Sequence, residues 1–195
     1  VAGLYAESVQ LITMDPAIKS VADLAGKSVS IGAPGSGVYF NAMDVLAAAG
    51  LTEADINPQY QSFADSTDAL KDGKIDAAFI VAGAPTAAIT ELCTTNSAYL
   101  VPIDGEIADK LMAESPYYTS YVIPAGTYNG QDADVPTFGV KCMVICNKSL
   151  DSELVYNLAK TLAENTEEMI AGNGVFASMA DPNFICNDLP IPLHE

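Results

Sequence analysis

The sequence has no arginine, no tryptophan and a single histidine, and these absences exclude several kinds of chemistry. All eight basic residues are lysines, so no guanidinium is present to clamp a carboxylate or phosphate with two parallel hydrogen bonds. The histidine, His194, is next to the last residue, which argues against a catalytic triad or a histidine-ligated zinc site. We therefore expect no catalytic residue, no cofactor and no metal in this chain.

Positive charge is also scarce. Acidic residues outnumber basic ones 25 to 8, which gives a formal net charge of −17 at pH 7. A surface of this sign repels phosphate backbones, so no nucleic-acid partner is expected. No apolar run reaches the ~18 residues that a membrane-spanning helix needs, so direct insertion into a membrane is not expected either. Half of the 195 residues are apolar, which is enough to bury a core.

The four cysteines, Cys93, Cys142, Cys146 and Cys186, form no C-x-x-C pair that would indicate a zinc ribbon or a redox site. Cys142 and Cys146 fall on one predicted strand about 13 Å apart, which is too far for a bridge between them. Either one could bridge Cys186, and four buried free thiols are an equal alternative.

Signals for strands and helices alternate along most of the chain. Apolar and β-branched runs at 9–13, 28–32 and 76–82 are predicted strands, and each is followed by a predicted helix. This alternation predicts an α/β fold in which a parallel-rich mixed sheet has helices on both faces. Residues 117–134 are rich in Tyr, Pro and Gly and are predicted to form a linker.

The most informative segment is the run Gly-Ala-Pro-Gly-Ser-Gly at 32–37, between a predicted strand and a predicted helix. Such a loop presents unpaired N–H groups at a helix N-terminus, where the helix dipole favours an anion. Gly35 and Gly37 lack a Cβ, so a ligand can approach the backbone closely, and Ser36 adds a hydroxyl donor. The spacing fits neither a P-loop nor a dinucleotide-binding loop, and a tight turn without a ligand is an equal alternative.

Two further segments contain candidate ligand contacts. Gly83 and Pro85 follow a predicted strand and open a helix, so they belong at the same sheet edge as the first loop. Thr127 and Tyr128, in the predicted linker, could offer hydroxyl groups and an aromatic wall to a ligand. Taken alone, the glycine and proline favour a simple turn, and the tyrosines around 117–128 favour packing.

An ordered set of segments spans nearly the whole chain and is more specific than any of its members. These segments are Leu4-Tyr5-Ala-Glu7, Ser20-Val-Ala-Asp-Leu24, Gly26-Lys27, Ile31-Gly-Ala-Pro-Gly-Ser-Gly37, Ala69-Leu-Lys-Asp-Gly-Lys-Ile-Asp-Ala-Ala-Phe79, Val81-Ala-Gly-Ala-Pro-Thr-Ala87, Ile123-Pro-Ala-Gly-Thr-Tyr128, Asp134-Val-Pro136 and Leu189-Pro-Ile-Pro-Leu-His194. Together they resemble the TAXI-type solute receptors of TRAP transporters.

This resemblance implies a type II periplasmic-binding-protein fold, with an anionic or zwitterionic ligand held between two lobes. It implies a periplasmic or other extracytoplasmic receptor, not an enzyme, that delivers a small carboxylate or a glutamate- or glutamine-like amino acid to the permease subunits of a TRAP transporter. It assigns 1–7 to a hinge strand, 8–118 to the second lobe, 119–134 to the hinge and 135–195 to a return segment of the first lobe. The N-terminal part of the first lobe and the signal peptide are expected to be absent from this chain.

The resemblance also has consequences for the cysteines, for the alternative functions and for the expected ligand contacts. An extracytoplasmic location favours the pairing of Cys186 with Cys142 or Cys146. Two alternative functions stay open: an enzyme on a related two-lobed fold, similar to a thiamine pyrimidine-precursor synthase, and the ligand-sensing module of a signalling receptor. The implied contacts are Pro34, Gly35, Ser36 and Gly37 at the anionic group, Gly83, Ala84 and Pro85 along the cleft, and Thr127 and Tyr128 at the hinge.

Overall fold

The structure is a computed structural model, which describes residues 1–187 and 189–194. These residues form seven β-strands, seven α-helices and three short 3₁₀ segments. None of the described helices is long and apolar enough to cross a membrane. The strands are β1 (Ala2–Thr13), β2 (Ser28–Ser30), β3 (Asn57–Gln59), β4 (Ala77–Ala82), β5 (Tyr99–Val101), β6 (Tyr118–Ile123) and β7 (Val135–Val144), and the helices are α1 (Gly37–Ala48), α2 (Phe63–Lys71), α3 (Ala87–Thr95), α4 (Gly105–Glu114), α5 (Ser152–Glu164), α6 (Thr166–Gly172) and α7 (Pro182–Cys186).

The strands form one sheet in the order β3-β2-β4-β1-β7-β6, with β5 paired to β1 off this path. β2 is parallel to both of its neighbours, and its register sets Val29 opposite Ala77 and Ser30 opposite Ala78 in β4. β1 is antiparallel to β4 and to β5. The predicted mixed α/β sheet with accompanying helices is confirmed.

The central strands are buried on both faces because helices cover both faces. Successive side chains of a strand point to opposite sides of the sheet. In β4, Phe79 packs with α1 and α4 in one apolar cluster, whereas Ile80 packs with α2 and α3 in another. This two-sided burial explains why β4 is a continuous apolar run in the sequence. It also means that α1 and α3 lie on opposite faces of the sheet.

The chain divides into two compact units. One unit is Ser8–Gly139, and the other comprises Val1–Glu7 and the described part of 140–195. The chain passes from one unit to the other within β1 and again within β7. All three candidate ligand-binding segments belong to the Ser8–Gly139 unit.

The region 117–134 differs from the predicted linker because its first part is strand β6. Ile123 is 1% exposed in one apolar cluster, and the Tyr118 ring packs edge-to-face on Phe138 with 4.7 Å between centroids. The rest of the region forms turns, in which the Gly126 N–H donates to Gln131 O at 2.8 Å. Aromatic and β-branched residues therefore favour a strand here, despite the neighbouring prolines and glycines.

All four cysteines are free thiols in the structure, so neither predicted pair with Cys186 is formed there. Cys146 lies beyond the end of β7 at Val144, so it does not share that strand with Cys142. A hydrogen bond between the Cys142 thiol and the Tyr5 hydroxyl raises the pKa of Tyr5 to about 12, and burial of the phenol is the second cause. Cys93 is buried, which raises the pKa of its thiol.

Candidate ligand-binding site

The two glycine-containing loops leave the same edge of the sheet. β2 and β4 are adjacent and parallel, so the loop after Ser30 and the loop after Ala82 both start at the carboxyl ends of these strands. The helices that follow lie on opposite faces, because α1 and α3 belong to different apolar clusters. An edge where neighbouring parallel strands lead to opposite faces is a topological switch point, and open α/β sheets bind ligands at such points.

The first loop ends at Ser36, the N-cap residue of α1. Its Oγ accepts a hydrogen bond from the Tyr39 N–H at 3.2 Å, and its own N–H donates to Ala33 O at 3.0 Å. The N–H groups of Gly37 and Val38 have no acceptor among the described residues, because the first turn of a helix has no preceding carbonyl to offer them. These two N–H groups are therefore free to bind a ligand.

The glycines of the first loop have different roles. Gly32 has a φ of +77°, and a Cβ there would lie 2.7 Å from the Val38 Cβ, so glycine is required where the loop packs on α1. Gly35 also has a positive φ, +76°, whereas Gly37 does not, and no heavy atom lies within 4 Å of an added Cβ at either position. Sequence reasoning missed the role of Gly32, for which the glycine run itself was the only signal.

The second loop, residues 83–86, is held by its last residue. Thr86 is the N-cap residue of α3, and its Oγ1 donates to Gly83 O at 3.0 Å, which folds the loop back on itself. The Ala84–Pro85 peptide bond within the loop is cis. The Thr86 side chain does not cap its own helix. Among the described residues, no side chain accepts from the first N–H groups of α3.

Tyr128 lies behind the second loop, and its hydroxyl is engaged inside the protein. The side chain is 3% exposed, and its oxygen accepts from the Thr86 N–H at 2.9 Å while its proton is donated to Gln10 Oε1. Burial raises the pKa of this phenol, so it stays protonated at neutral pH. The Thr127 hydroxyl donates to Pro124 O at 2.6 Å within its own turn. Ligand contact by these two hydroxyls stays a prediction.

Sequence reasoning missed Gln10, which lies in β1 and is 1% exposed. Its Nε2 donates to Thr86 Oγ1 at 2.9 Å and to Ala82 O at 3.3 Å, and its Oε1 accepts from Tyr128. A buried amide is costly unless its polar atoms are paired, and here both the amide nitrogen and the oxygen have partners. The only sequence signal was one polar residue inside the apolar run Val9-Gln-Leu-Ile12.

Acidic residues are distributed unevenly over the helix N-termini. α1 and α3 begin at the neutral N-cap residues Ser36 and Thr86 and have no acidic residue in their first turn. Each of the other described α-helices has an acidic side chain at its N-cap or in its first turn, where it interacts favourably with the helix dipole. These side chains are Asp65 in α2, Asp104 and Glu106 in α4, Asp151 and Glu153 in α5, Glu167 and Glu168 in α6, and Asp181 in α7.

The two loops at the switch-point edge carry no basic side chain of their own. The three candidate segments contain no lysine. Lys71 pairs with Asp68 and Glu91, each at 3.2 Å, and Lys110 donates to Ala47 O at the far end of α1. That end is about 15 Å from Gly37, because a helix rises ~1.5 Å per residue. Among the described residues, no group of three or more His, Cys, Asp or Glu side chains could hold a metal.

Two cavities lie elsewhere, in the unit formed by 1–7 and 140–195. One has a volume of about 470 Å³ and is lined in part by Ile145, Lys148 and Leu193. The other has a volume of about 620 Å³ and is lined mainly by apolar residues such as Leu162 and Ile170. Neither lining includes a residue of the three candidate segments. We place the candidate site at the switch-point edge because the N–H groups of Gly37 and Val38 and the start of α3 have no side-chain acceptor there among the described residues.

The fold is an α/β domain with two helix N-termini at the switch point of its sheet. The chain belongs to the NMT1-like family, whose sequence profile matches residues 1–195.

The chain is also similar to several solved binding proteins. One is the periplasmic aliphatic sulphonate binding protein SsuA from Escherichia coli, with 21% identity over 91% of this chain and 45% of that chain and a TM-score of 0.42. Another is the alkanesulfonate-binding protein SsuA from Xanthomonas axonopodis pv. citri bound to MOPS, with 23% identity, 91% and 54% coverage and a TM-score of 0.48. A third is substrate binding domain 2 of GlnP from Lactococcus lactis, with 15% identity, 91% and 58% coverage and a TM-score of 0.41. This chain therefore spans about half the length of these structures.

Proposed function

We propose that this chain is the ligand-binding part of an extracytoplasmic solute receptor of the TAXI type. In this proposal it captures a small carboxylate or a glutamate- or glutamine-like amino acid for the permease subunits of a TRAP transporter. The observation that carries the proposal is the pair of acid-free helix N-termini at the switch-point edge. The ordered sequence motifs support the transporter class.

Backbone donors at this edge supply enough attraction to orient a carboxylate. A helix N-terminus carries about half an elementary positive charge, and a charge-assisted hydrogen bond contributes ~1.5–3 kcal/mol. Two such bonds, from the N–H groups of Gly37 and Val38, would contribute about 3–6 kcal/mol to binding. The remaining affinity would come from the rest of the ligand, which sets the specificity.

The charge of the protein narrows the ligand class. N–H groups bind carboxylate or sulfonate oxygens without the fixed two-pronged geometry that a guanidinium demands. A net charge of −17 disfavours a ligand with several negative charges. A monoanion or a zwitterion such as an amino acid therefore fits this edge better than a phosphorylated compound does.

Calorimetry on the full 195-residue chain tests the proposal. The panel is L-glutamate, L-glutamine, succinate and methanesulfonate, with inorganic phosphate as the comparison anion. We expect saturable binding with one ligand per chain for at least one amino acid or carboxylate, and binding to none of them would overturn the proposal. Mass spectrometry of the recovered ligand separates a receptor, which leaves it unchanged, from an enzyme. A permease gene beside this one, rather than a kinase gene, is the expected neighbourhood.

A further inference from the structure

Thr86 occupies the position of a helix cap but does not act as one. A threonine at this position normally accepts a hydrogen bond from an N–H in the first turn of its helix. Here its Oγ1 accepts from Gln10 Nε2 at 2.9 Å and donates to Gly83 O at 3.0 Å. The uncapped start of α3 therefore has a specific cause. Four other helices are capped by the side chain of their own N-cap residue: Ser36 in α1, Ser62 in α2, Asp151 in α5 and Asp181 in α7.

Gln10 and Tyr128 hold Thr86 from two sides. The Thr86 N–H donates to the Tyr128 oxygen at 2.9 Å, and the Tyr128 hydroxyl donates to Gln10 Oε1, which closes a ring of three residues. All three side chains are at most 9% exposed. The turn that carries Tyr128 also contacts the other end of α3, where Asn129 Nδ2 donates to Cys93 O at 3.0 Å. Two distant parts of the chain, strand β1 and the turn that carries Tyr128, thus fix the position of this helix.

This ring of polar groups lies against an apolar layer, where each of its buried polar atoms needs a partner. Tyr128 belongs to the cluster that contains Ile12, Ile80 and Ile89. An apolar side chain at position 10 would join that cluster and would need no polar partner. It would also leave the Thr86 hydroxyl free to cap α3, which normally stabilises a helix. A sequence that forgoes both gains is typical of a functional site.

We infer that Gln10 and Tyr128 are positioning residues of the proposed anion site. They engage the hydroxyl and the N–H of Thr86, so the next N–H groups, those of Ala87 and Ala88, stay uncapped at the switch-point edge. There they join the N–H groups of α1 in binding the carboxylate of the ligand. The inference rests on the proposed function, and it adds the second helix to the site. Both positioning residues act on the site through Thr86.

Calorimetry and NMR on two variants of the full chain test this role. Tyr128→Phe and Gln10→Met each remove one member of the ring and nearly preserve its size. With L-glutamate and L-glutamine as probes, we expect each variant to lose affinity about tenfold, the effect of one strong hydrogen bond. The amide resonances of Ala87 and Ala88 in the ligand-free chain are expected to shift, and that of Gly37 is not. Because both changes act through Thr86, the double variant should lose about tenfold and not about a hundredfold.

Tyr118→Phe is the matched control. The Tyr118 side chain is half-buried, and its hydroxyl donates to Asp44 and accepts from Asn41 at 2.8 Å, in contact with α1 and not with α3. Like Tyr128→Phe, the Tyr118→Phe substitution removes the hydroxyl of a tyrosine that donates one hydrogen bond and accepts another. We expect a comparable loss of stability in urea, with affinity within about twofold of the wild type.

The outcomes separate this inference from the proposed function. A wild-type chain that binds none of the panel overturns the proposed function and this inference with it. A wild-type chain that binds, with both variants binding equally well and the Ala87 and Ala88 resonances unmoved, overturns this inference alone. An equal loss of affinity in Tyr118→Phe would assign the effect to lost stability and would also overturn it. Tyr128→Phe and Gln10→Met change different residues of the ring, so the test can be made if only one of them folds.

Discussion

Replacing Gly37 by valine tests the candidate site at its centre. Gly37 is the first residue of α1, it is exposed, and no heavy atom lies within 4 Å of an added Cβ. The fold therefore has room for a side chain there. In a helix each Cα–Cβ bond tilts towards the N-terminus, so the methyl groups of valine would project over the N–H groups of Gly37 and Val38. That is the space which a bound carboxylate would occupy.

The expected loss of affinity is large, whereas the expected change in stability is small. Losing two charge-assisted hydrogen bonds removes about 3–6 kcal/mol, which corresponds to roughly a 10²- to 10⁴-fold weaker ligand. Valine is a better helix former than glycine by roughly 0.3–0.5 kcal/mol, so the free energy of unfolding should not fall. A variant that loses binding without losing stability is the signature of a blocked site.

Calorimetry with L-glutamate and L-glutamine measures the affinity, and urea denaturation measures the stability. Gly174→Val is the matched control, because Gly174 is also the first residue of a helical segment, Gly174–Ala180, and has no heavy atom within 4 Å of an added Cβ. Both measurements are expected to be unchanged in that control. A folded Gly37→Val chain that binds as tightly as the wild type would refute the helix-terminus mechanism.

Three other changes test the loop and the helix ends. Gly32→Ala is expected to destabilise the fold by about 1–3 kcal/mol, because its Cβ would lie 2.7 Å from the Val38 Cβ at a positive φ; an unchanged urea midpoint would contradict the packing argument. Ser36→Ala should cost about 1 kcal/mol of stability through the lost cap of α1 and should also weaken ligand binding; denaturation and calorimetry measure the two effects separately. Asp23 accepts hydrogen bonds, chiefly from the Lys19 N–H, which lower the pKa of its carboxyl group. The stabilisation that these hydrogen bonds give the folded chain is therefore fully present above the ordinary carboxyl pKa of ~4. It is lost as the pH falls through the lower pKa that Asp23 has in the folded state. Asp23→Asn should reduce this acid-induced loss of stability. Urea titrations in which the wild type and the variant lose equal stability at low pH would contradict this prediction.

The switch-point edge could be predicted from local patterns in the sequence. The run at 28–32 indicates a strand, and the glycines and Ser36 that follow it are typical of a turn into a helix N-terminus. The same reasoning applies to the apolar run at 76–82 and the small residues after it. The structure brings the two loops together because β2 and β4 are parallel neighbours. In both cases the information lies within a few residues of the loop.

The ring behind the second loop could not be predicted in this way. Gln10 and Tyr128 are 118 positions apart, and only the order of strands in the sheet brings them together at Thr86. The sequence shows that residue 128 has a hydroxyl group but not which atoms form hydrogen bonds with it. The same tyrosine therefore suggested a ligand contact. Strand β6 was missed for a related reason, because the packing of Tyr118 on Phe138 is a tertiary contact that outweighs the turn-forming residues nearby.

A protein with a net charge of −17 can hold an anion only where attraction is local. At physiological ionic strength charges are screened beyond ~8 Å, so the acidic side chains on distant helix faces weaken binding little. The acids closest to a helix N-terminus matter most, because the dipole acts within the first turn. Five described helices carry such acids of their own, whereas α1 and α3 carry none and both begin at the switch-point edge. In the five helices a side chain of the protein complements the dipole, so we expect the negative group of a ligand to take that place at α1 and α3.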